Sequence, residues 1–518
     1  METNKKTIFL LILILIIATF FRFWKITSIP PGLYPDEAMN GNNALEALKT
    51  GDFKTFYPEN NGREGLFINI QALSVKTFGD HPWALRIVSA IFGVLTVLGL
   101  FFLAKELFPQ KINIALISSF LLAVSFWHVN FSRIGFRAIM VPFCLAWSMG
   151  FLIKAFRQKT LRPAFLSAIF FGIGFHTYIA FRFAPFLALV PIIYFWKKFK
   201  TDRELKKYFK ILCLWLVIVF LIGLPIGLYF LKNPSDFVGR SSGISIFNQG
   251  NPIKALLASV GKTGLMFNVA GDCNWRHNIS CWPELDLFTG LAFIIGLIAT
   301  IKIALFKKET DRFAFWMIII WFIIMSLPSI LTAEGLPHAL RSIGLIPIVF
   351  LTAGFGLNKF WEWLKTKNLK TPWKNTIIPA ILIAILLIGF FRYFIIWAKN
   401  PNVPNAFAAS YAEIGNYLNQ APKNINKYIL VNADGVLVNN IPMPTQTIMF
   451  LTNTYQANEQ NQKKIFYLLP ENINQIDQSG PFILIPMEKN NEIEAFIKNK
   501  ISNLSSINYS DFEVFKNY

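Results

Sequence analysis

Residues 5–37 read KKTIFLLILILIIATFFRFWKITSIPPGLYPDE. Two lysines precede an apolar run, 7–24, and a polar turn with an acidic pair, Asp36-Glu37, follows it. A run of this length is what an α-helix needs to cross the hydrocarbon core of a bilayer. Phe23-Trp24-Lys25 comes next, with no small-residue cleavage site, so the run reads as an uncleaved first span and not as a signal peptide.

The same pattern recurs along the chain. Further spans are predicted at 83–104, 112–130, 138–156, 163–181, 183–196, 211–231, 285–306, 313–331, 339–357 and 376–397. The sixth is short and opens near Arg182. It must cross nonetheless, because the basic gaps at 154–162 and 197–210 belong on one side. The expectation is an all-α polytopic membrane protein with about eleven transmembrane helices. A content of 54% hydrophobic residues, 53 of them Phe, excludes an ordinary soluble domain.

The net charge of +21 does not signal nucleic-acid binding, because its distribution is wrong for a basic face on a soluble module. The cations fall in every second gap. They are Lys5 and Lys6; Lys105 and Lys111; Lys154, Arg157, Lys159 and Arg162; Lys197, Lys198, Lys200, Arg203, Lys206, Lys207 and Lys210; Lys302, Lys307, Lys308 and Arg312; and Lys359, Lys365, Lys367, Lys370 and Lys374. This is the positive-inside pattern of a multi-pass protein of the cytoplasmic membrane. It predicts a cytoplasmic amino terminus and, with an odd number of spans, an exterior carboxyl terminus.

Two units are therefore expected: a membrane domain over 1–397, with long exterior loops at 25–82 and 232–284, and a small exterior α/β domain over 400–518. In the second unit, apolar runs at Tyr428–Val431, Ile465–Leu469 and Phe482–Ile485 read as strands, and 406–419 and 489–500 read as helices. Cys144 and Cys213 lie in apolar runs. Cys273 and Cys281 share an exterior loop where a disulfide can form, and spacing alone leaves that pairing open.

The residues able to carry chemistry gather outside the membrane. Asp36 and Glu37 stand before a helix-like stretch at 38–50, where acidic residues serve as caps; a carboxylate there also suits a general base taking a proton from an attacking hydroxyl. Arg63-Glu64, between Gly62 and Gly65, is either a surface ion pair or a phosphate-neutralising Arg with Glu64 orienting it or holding a metal. Arg133 and Arg137 in the turn after the third span either snorkel to headgroups or bind an anionic lipid. His176-Thr177-Tyr178 and Arg182 meet at one exterior edge, where such groups can grip a phosphate. Gly271–Asn278 packs Asn274, Trp275, Arg276 and His277 together, suited to stacking on and hydrogen-bonding a sugar, or simply a disulfide-tied loop. Glu334–Arg341 adds another exterior Arg, Arg341. No Gly-rich phosphate loop and no cysteine cluster with zinc spacing occurs.

On these stretches the chain resembles the GT-C membrane glycosyltransferases, specifically the protein O-mannosyltransferase-like group that includes the lipid A aminoarabinose transferases. The resemblance covers most of 1–397 and rests on Asp36-Glu37, Arg63-Glu64, the turn at 133–137, Gly271–Asn278 and Pro337–Arg341. It implies transfer of a hexosyl or pentosyl group from a polyprenyl-phosphate donor to a hydroxyl of a protein, lipid or glycan acceptor at the outer face of the membrane. Carried over by position, Asp36, with Glu37 beside it, is the catalytic carboxylate. Arg63, Arg133, Arg137 and Arg182 are candidates for a phosphate clamp, and Glu64, Tyr178, Arg276, His277 and Arg341 join them in substrate binding. A lipid-phosphate leaving group needs no metal to hold a nucleotide diphosphate, so no cofactor is expected and a divalent ion is compatible but not required. Two alternatives stand beside this reading. A lipid or sugar transporter would place polar groups at mid-membrane. A non-catalytic subunit of an envelope-polysaccharide assembly system would tolerate Asp36→Asn.

Overall fold

The computed structural model describes residues 4–307, 312–367 and 371–518. Lys308 and Lys370 of the basic gaps lie outside them, as does the side chain of Lys374.

The chain is mainly helical. Helix α1 (Lys5–Phe23) is followed by α2 (Pro35–Thr50), a short hairpin of β1 (Phe56–Tyr57) and β2 (Arg63–Glu64), and α3 (Gly65–Phe78). Then come α4 (Pro82–Leu107), α5 (Ile112–Val124), α6 (Phe126–Phe131), α7 (Met140–Gln158), α8 (Leu161–Gly174), α9 (Ala184–Lys198) and α10 (Asp202–Lys232). After α11 (Pro234–Gly243) and α12 (Pro252–Leu265), the bundle closes with α13 (Leu287–Phe306), α14 (Phe313–Ile330), α15 (Ile346–Thr366) and α16 (Thr371–Phe390).

Among the described residues, nine helices are long and apolar enough to cross a membrane. The third and fifth expected spans are the shorter apolar helices α5 and α8, of 13 and 14 residues. The run at 112–130 breaks at Ser125, whose ψ of 129° is extended, and restarts as α6. That second piece carries His128 and Asn130. The run at 163–181 ends at Gly174, and Ile179–Lys198 forms the next membrane-length element, so the boundary falls before Arg182 and the sixth span is longer than its apolar run suggested.

Ion pairs join the basic gaps at one end of the bundle. Lys111 meets Glu362 at 2.7 Å, Arg157 meets Glu106 at 3.0 Å, and Lys159 pairs with Glu204. Such exposed pairs add little stability. Their value is positional: the ends of α4, α7 and α15 and the start of α10 lie together, as the charge pattern requires. The helices α2 and α3, which link the far end of α1 to the start of α4, occupy the opposite end.

Where α13 and α15 cross, the backbones touch. A methyl group at Gly356 would overlap the Ala292 carbonyl, and one at Gly296 would overlap the Thr352 carbonyl. Each helix thus offers a small residue at the crossing, the arrangement that lets membrane helices gain dispersion contact without a solvent driving force.

The C-terminal region begins with α17 (Asn402–Ala406) and α18 (Ala409–Gln420). Strand β3 (Asn426–Leu430), the hairpin of β4 (Leu437–Val438) and β5 (Ile441–Pro442), α19 (Gln446–Thr452), α20 (Ala457–Lys463) and β6 (Ile465–Leu468) follow. The chain ends with β7 (Phe482–Pro486), α21 (Asn491–Lys500), β8 (Ser505–Asn508) and β9 (Glu513–Lys516). The main sheet has the order β6-β3-β7-β9-β8; the first three strands are parallel and the last two antiparallel. The expected strands and helices match β3, β6, β7, α18 and α21 within a few residues, whereas β8, exposed throughout and reading Ser-Ser-Ile-Asn, carries no apolar signal.

Substituting Gly356→Val should force α13 and α15 apart and cost about 1–3 kcal/mol. Thermal unfolding of the detergent-solubilised protein checks this, with an unchanged midpoint counting against the close crossing.

Candidate active site

Asp36 and Glu37 stand in the first turn of α2, where Pro35 pre-sets the helical φ and the helix dipole favours negative charge. The two carboxylates face different surroundings. Glu37 is fully buried. It receives the Arg86 guanidinium through two hydrogen bonds of 2.9 and 3.1 Å, the Gly135 N–H at 2.7 Å and the Tyr34 N–H at 3.3 Å. Asp36 is half-buried and lines a cavity of about 620 Å³. Its Oδ1 accepts from the Asn60 amide. Asn60, Asn61 and Gly62 all have positive φ, of 52°, 62° and 81°, in the tight β1–β2 turn that aims Asn60 at Asp36. Asn and Gly are the residues that tolerate this region. The acidic pair is thus divided: Glu37 caps and anchors the helix, and Asp36 faces the cavity.

The cavity gathers most of the residues singled out in the sequence. Arg63, Glu64, Arg137, Tyr178, Arg182, Arg276, His277 and Arg341 all line it. Arg63 is 2% exposed and is held by Asn40 Oδ1 at 2.8 Å and Asn43 Oδ1 at 2.6 Å, with Glu59 at 3.8 Å. Burial, and secondarily the nearby Arg137, lowers its pKa to about 10, so it stays cationic at neutral pH. Arg137 pairs with Glu64 at 2.7 Å and lies over the Tyr178 ring at 5.4 Å. Arg341 contacts Glu334 at 3.6 Å and Thr332 at 2.9 Å.

Two guanidiniums differ from these. Arg182 donates to the Phe237 carbonyl at 2.5 Å and lies over the Phe237 ring at 4.3 Å. Arg276 lies 3.8 Å over the Tyr34 ring, with Asn274 Oδ1 accepting from its backbone N–H at 3.0 Å and from its Nε at 3.4 Å. Among the described residues neither has a carboxylate at ion-pair distance.

Arg133 is not brought to the cavity. It is fully buried, donating to the carbonyls of Phe21 at 3.1 Å and Ile29 at 2.9 Å, beside the rings of Tyr393 and Phe394. Its role is to hold the end of α1, which corrects its expected place in a phosphate clamp. Glu37 likewise does not line the cavity. His176 bonds the Ile222 carbonyl at 2.8 Å and does not line the cavity. Arg86, Asn40 and Asn43 were not anticipated. The signal for the last two was present in Asn40-Gly41-Asn42-Asn43: amides are poor residues for a helix interior unless they have partners.

The loop after α12 is tied by a Cys273–Cys281 disulfide, which resolves the pairing left open above. Within it Asp272 Oδ2 lies 2.8 Å from His277 Nδ1, 3.8 Å from His338 Nδ1 and 2.9 Å from the Ala339 N–H. The donor atoms of Asp272, His277 and His338 all lie within 4.8 Å of one another. Burial first, then the neighbouring His277 and Arg341, pushes the His338 pKa well down, keeping its imidazole neutral. Two imidazoles and a carboxylate suit a divalent transition ion. This donor set, assembled from two loops that are distant in sequence, is where a divalent ion, expected to be compatible but not required, would be held.

Residues 66–228 match a family model described as dolichyl-phosphate-mannose-protein mannosyltransferase; the matched segment includes Arg137, Tyr178 and Arg182. Among curated proteins, none matches the sequence. The fold is similar to that of ArnT from Cupriavidus metallidurans bound to undecaprenyl phosphate, at 12% identity and a TM-score of 0.62, covering 100% of this chain and 99% of that one. It is also similar to the archaeal oligosaccharyltransferase AglB from Archaeoglobus fulgidus, in complex with an inhibitory peptide and a dolichol-phosphate, at 12% identity and a TM-score of 0.52, covering 93% and 69%. The resemblance to the GT-C membrane glycosyltransferases therefore holds in the fold, and the chain is a multi-pass membrane protein of that architecture.

The division of the acidic pair has a direct consequence for stability. Removing the Glu37 charge by Glu37→Gln leaves Arg86 buried and uncompensated, at a cost of about 3–5 kcal/mol. Asp36→Asn should stay within about 1 kcal/mol of wild type. Parallel melting curves of the two variants check this, and equal losses would contradict the split.

Proposed function

We propose that the chain transfers a sugar from a polyprenyl-phosphate donor to an acceptor hydroxyl at the outer face of the cytoplasmic membrane. The observation that carries this reading is the charge arrangement in the cavity. Asp36 has no cation at ion-pair distance among the described residues, and it shares the space with Arg182 and Arg276, which have no carboxylate there. Arg63, Arg137 and Arg341 already have carboxylates as partners.

Such an arrangement suits a displacement in which one group takes a proton while others receive growing negative charge. Asp36 accepts the proton of the acceptor hydroxyl as its oxygen attacks the anomeric carbon. The bond from that carbon to the donor phosphate oxygen breaks, and the lipid phosphate leaves with one more negative charge. Arg182 and Arg276, both half-buried and already oriented by the Phe237 carbonyl and by Asn274, take up that charge as preorganised donors. Asn60 orients Asp36, and the Asn40–Arg63–Asn43 set keeps a further cation fixed nearby without pairing it to Asp36. Phe237, Val238 and Phe247 line one side of the cavity and are themselves exposed, at 49%, 50% and 68%, which suits passage of a prenyl chain. Undecaprenyl phosphate in the ArnT structure and dolichol-phosphate in the AglB structure support a lipid phosphate as the donor class. The positive-inside charge pattern supports the outer-face location. No step passes through a metal; an ion held by Asp272, His277 and His338 would brace the loop that carries Arg276.

The test is transfer by purified protein from a panel of polyprenyl-phosphate sugars to cell-envelope acceptors, read by mass spectrometry. Wild type should release free polyprenyl phosphate, and Asp36→Asn should lower the rate by about 10²–10⁴-fold while staying folded. Arg182→Ala and Arg276→Ala should each lower it by about 10²–10³-fold. Equal release by Asp36→Asn and wild type would remove Asp36 from its role, and no release from any donor by folded protein would remove the reaction. Chelator treatment should leave the rate within about threefold of control, whereas abolition reversed by added ion would show that a metal takes part.

A further inference from the structure

Helix α2 presents two adjacent stripes. Asp36, Asn40 and Asn43 face the cavity and Arg63. The neighbouring stripe, Met39, Asn42, Glu46 and Lys49, is occupied along its whole length by the C-terminal region. Met39 packs with Val438 and Met443. Asn42 donates to the Gln446 carbonyl at 3.2 Å and to Gln446 Oε1 at 2.8 Å. Glu46 accepts from Gln456 at 2.9 Å, and Lys49 pairs with Glu459 while donating to Asn453 at 3.0 Å. The spacing of three, then four, then three residues is that of one helical face.

The contact is fitted as well as continuous. Phe450 is fully buried among Leu33, Ala38 and Leu85, so a residue of the C-terminal region sits in the core beside the membrane bundle. Gly41 is the position that admits it, since a methyl group there would overlap the Phe450 ring. Thr447 donates to the Leu33 carbonyl at 2.9 Å, which pins the chain just before Asp36. A domain serving only to capture an acceptor would not need its core shared with the helix that carries the base.

We infer that the C-terminal domain is a positioning clamp for α2, setting the orientation of Asp36 and Arg63 through Gln446, Phe450 and Glu459. Its kinetic role rests on the transfer reaction proposed above. Small misplacement of a reacting group is costly, since about 1 Å can lower a rate about 10²-fold. None of the three residues lines the cavity, so they act through α2 and not on substrate.

The test combines kinetics with hydrogen exchange on the full-length protein in detergent. Gln446→Ala and Phe450→Ala should accelerate exchange of the α2 amides and lower kcat for polyprenyl-phosphate release by about tenfold or more, with KM for the donor changed by less than about threefold. Lys49→Glu, at a half-exposed site that folding tolerates, should do the same more weakly, and adding Glu459→Lys should restore both readouts. Ile507→Ala, on the exposed edge strand far along the chain, should change neither. Unchanged α2 exchange in all variants would overturn the clamp, as would faster exchange with unaltered kcat. A rise in KM alone would assign the domain to substrate capture and overturn positioning. If wild type transfers no sugar, the exchange measurement still decides the structural clamp, and only the enzymatic reading fails.

Discussion

The arrangement depends on one buried ion pair, Arg86 with Glu37, whose side chains are 1% and 0% exposed. Desolvating two charges costs several kcal/mol each, and only a fully bonded geometry offsets it. Here Arg86 also donates to the carbonyls of Pro30 at 2.6 Å and Gly32 at 2.9 Å, and Glu37 also takes the Gly135 N–H. A guanidinium at the start of a membrane span, a carboxylate at the start of α2, the loop leaving α1 and the turn before α7 are thereby fastened at one point. An aliphatic contact could bury the same area, but it would not fix the rotation of α2 about its axis.

That rotation decides which residues meet. With Glu37 held inward, Asp36 turns to the cavity, and Asn40 and Asn43 fall one and two turns further on to grip Arg63. Polar side chains that would be liabilities in an ordinary helix become the means by which a cation is fixed near a carboxylate without being paired to it. The C-terminal domain grips the next face of the same helix. The site is thus assembled less by the membrane spans than by a short helix at the bundle's end, clasped from two sides.

Much of this architecture was readable in the sequence, because membrane spans are specified by local apolar length and by the lysines between them. The spans at 83–104 and 211–231 needed no tertiary knowledge. Interruptions were less visible: Ser125 breaks a run whose hydrophobicity continues, and beyond the break His128 meets Arg22 and Asn130 donates to the Arg276 carbonyl, contacts that no local pattern encodes. Asp36 could be found because an acidic pair just outside the first span is conspicuous. The different fate of Glu37 could not, since it depends on Arg86, which reads as a cation at a helix end. Arg133 was misplaced for the opposite reason: it looked like an exterior cation, and only the carbonyls of Phe21 and Ile29 reveal it as a structural brace. The Asp272–His277–His338 set joins two loops whose proximity no spacing rule encodes.

On the reaction proposed above, Asp36 and the arginines without carboxylate partners, Arg182 and Arg276, share one substrate space. An experimental structure of the protein with bound polyprenyl phosphate tests it most directly. The phosphate is expected in contact with Arg182 and Arg276, its open side toward Asp36, and the prenyl chain leaving past Phe237 and Phe247. A phosphate seated outside the cavity, or held at Asp272, His277 and His338 away from Asp36, would contradict it.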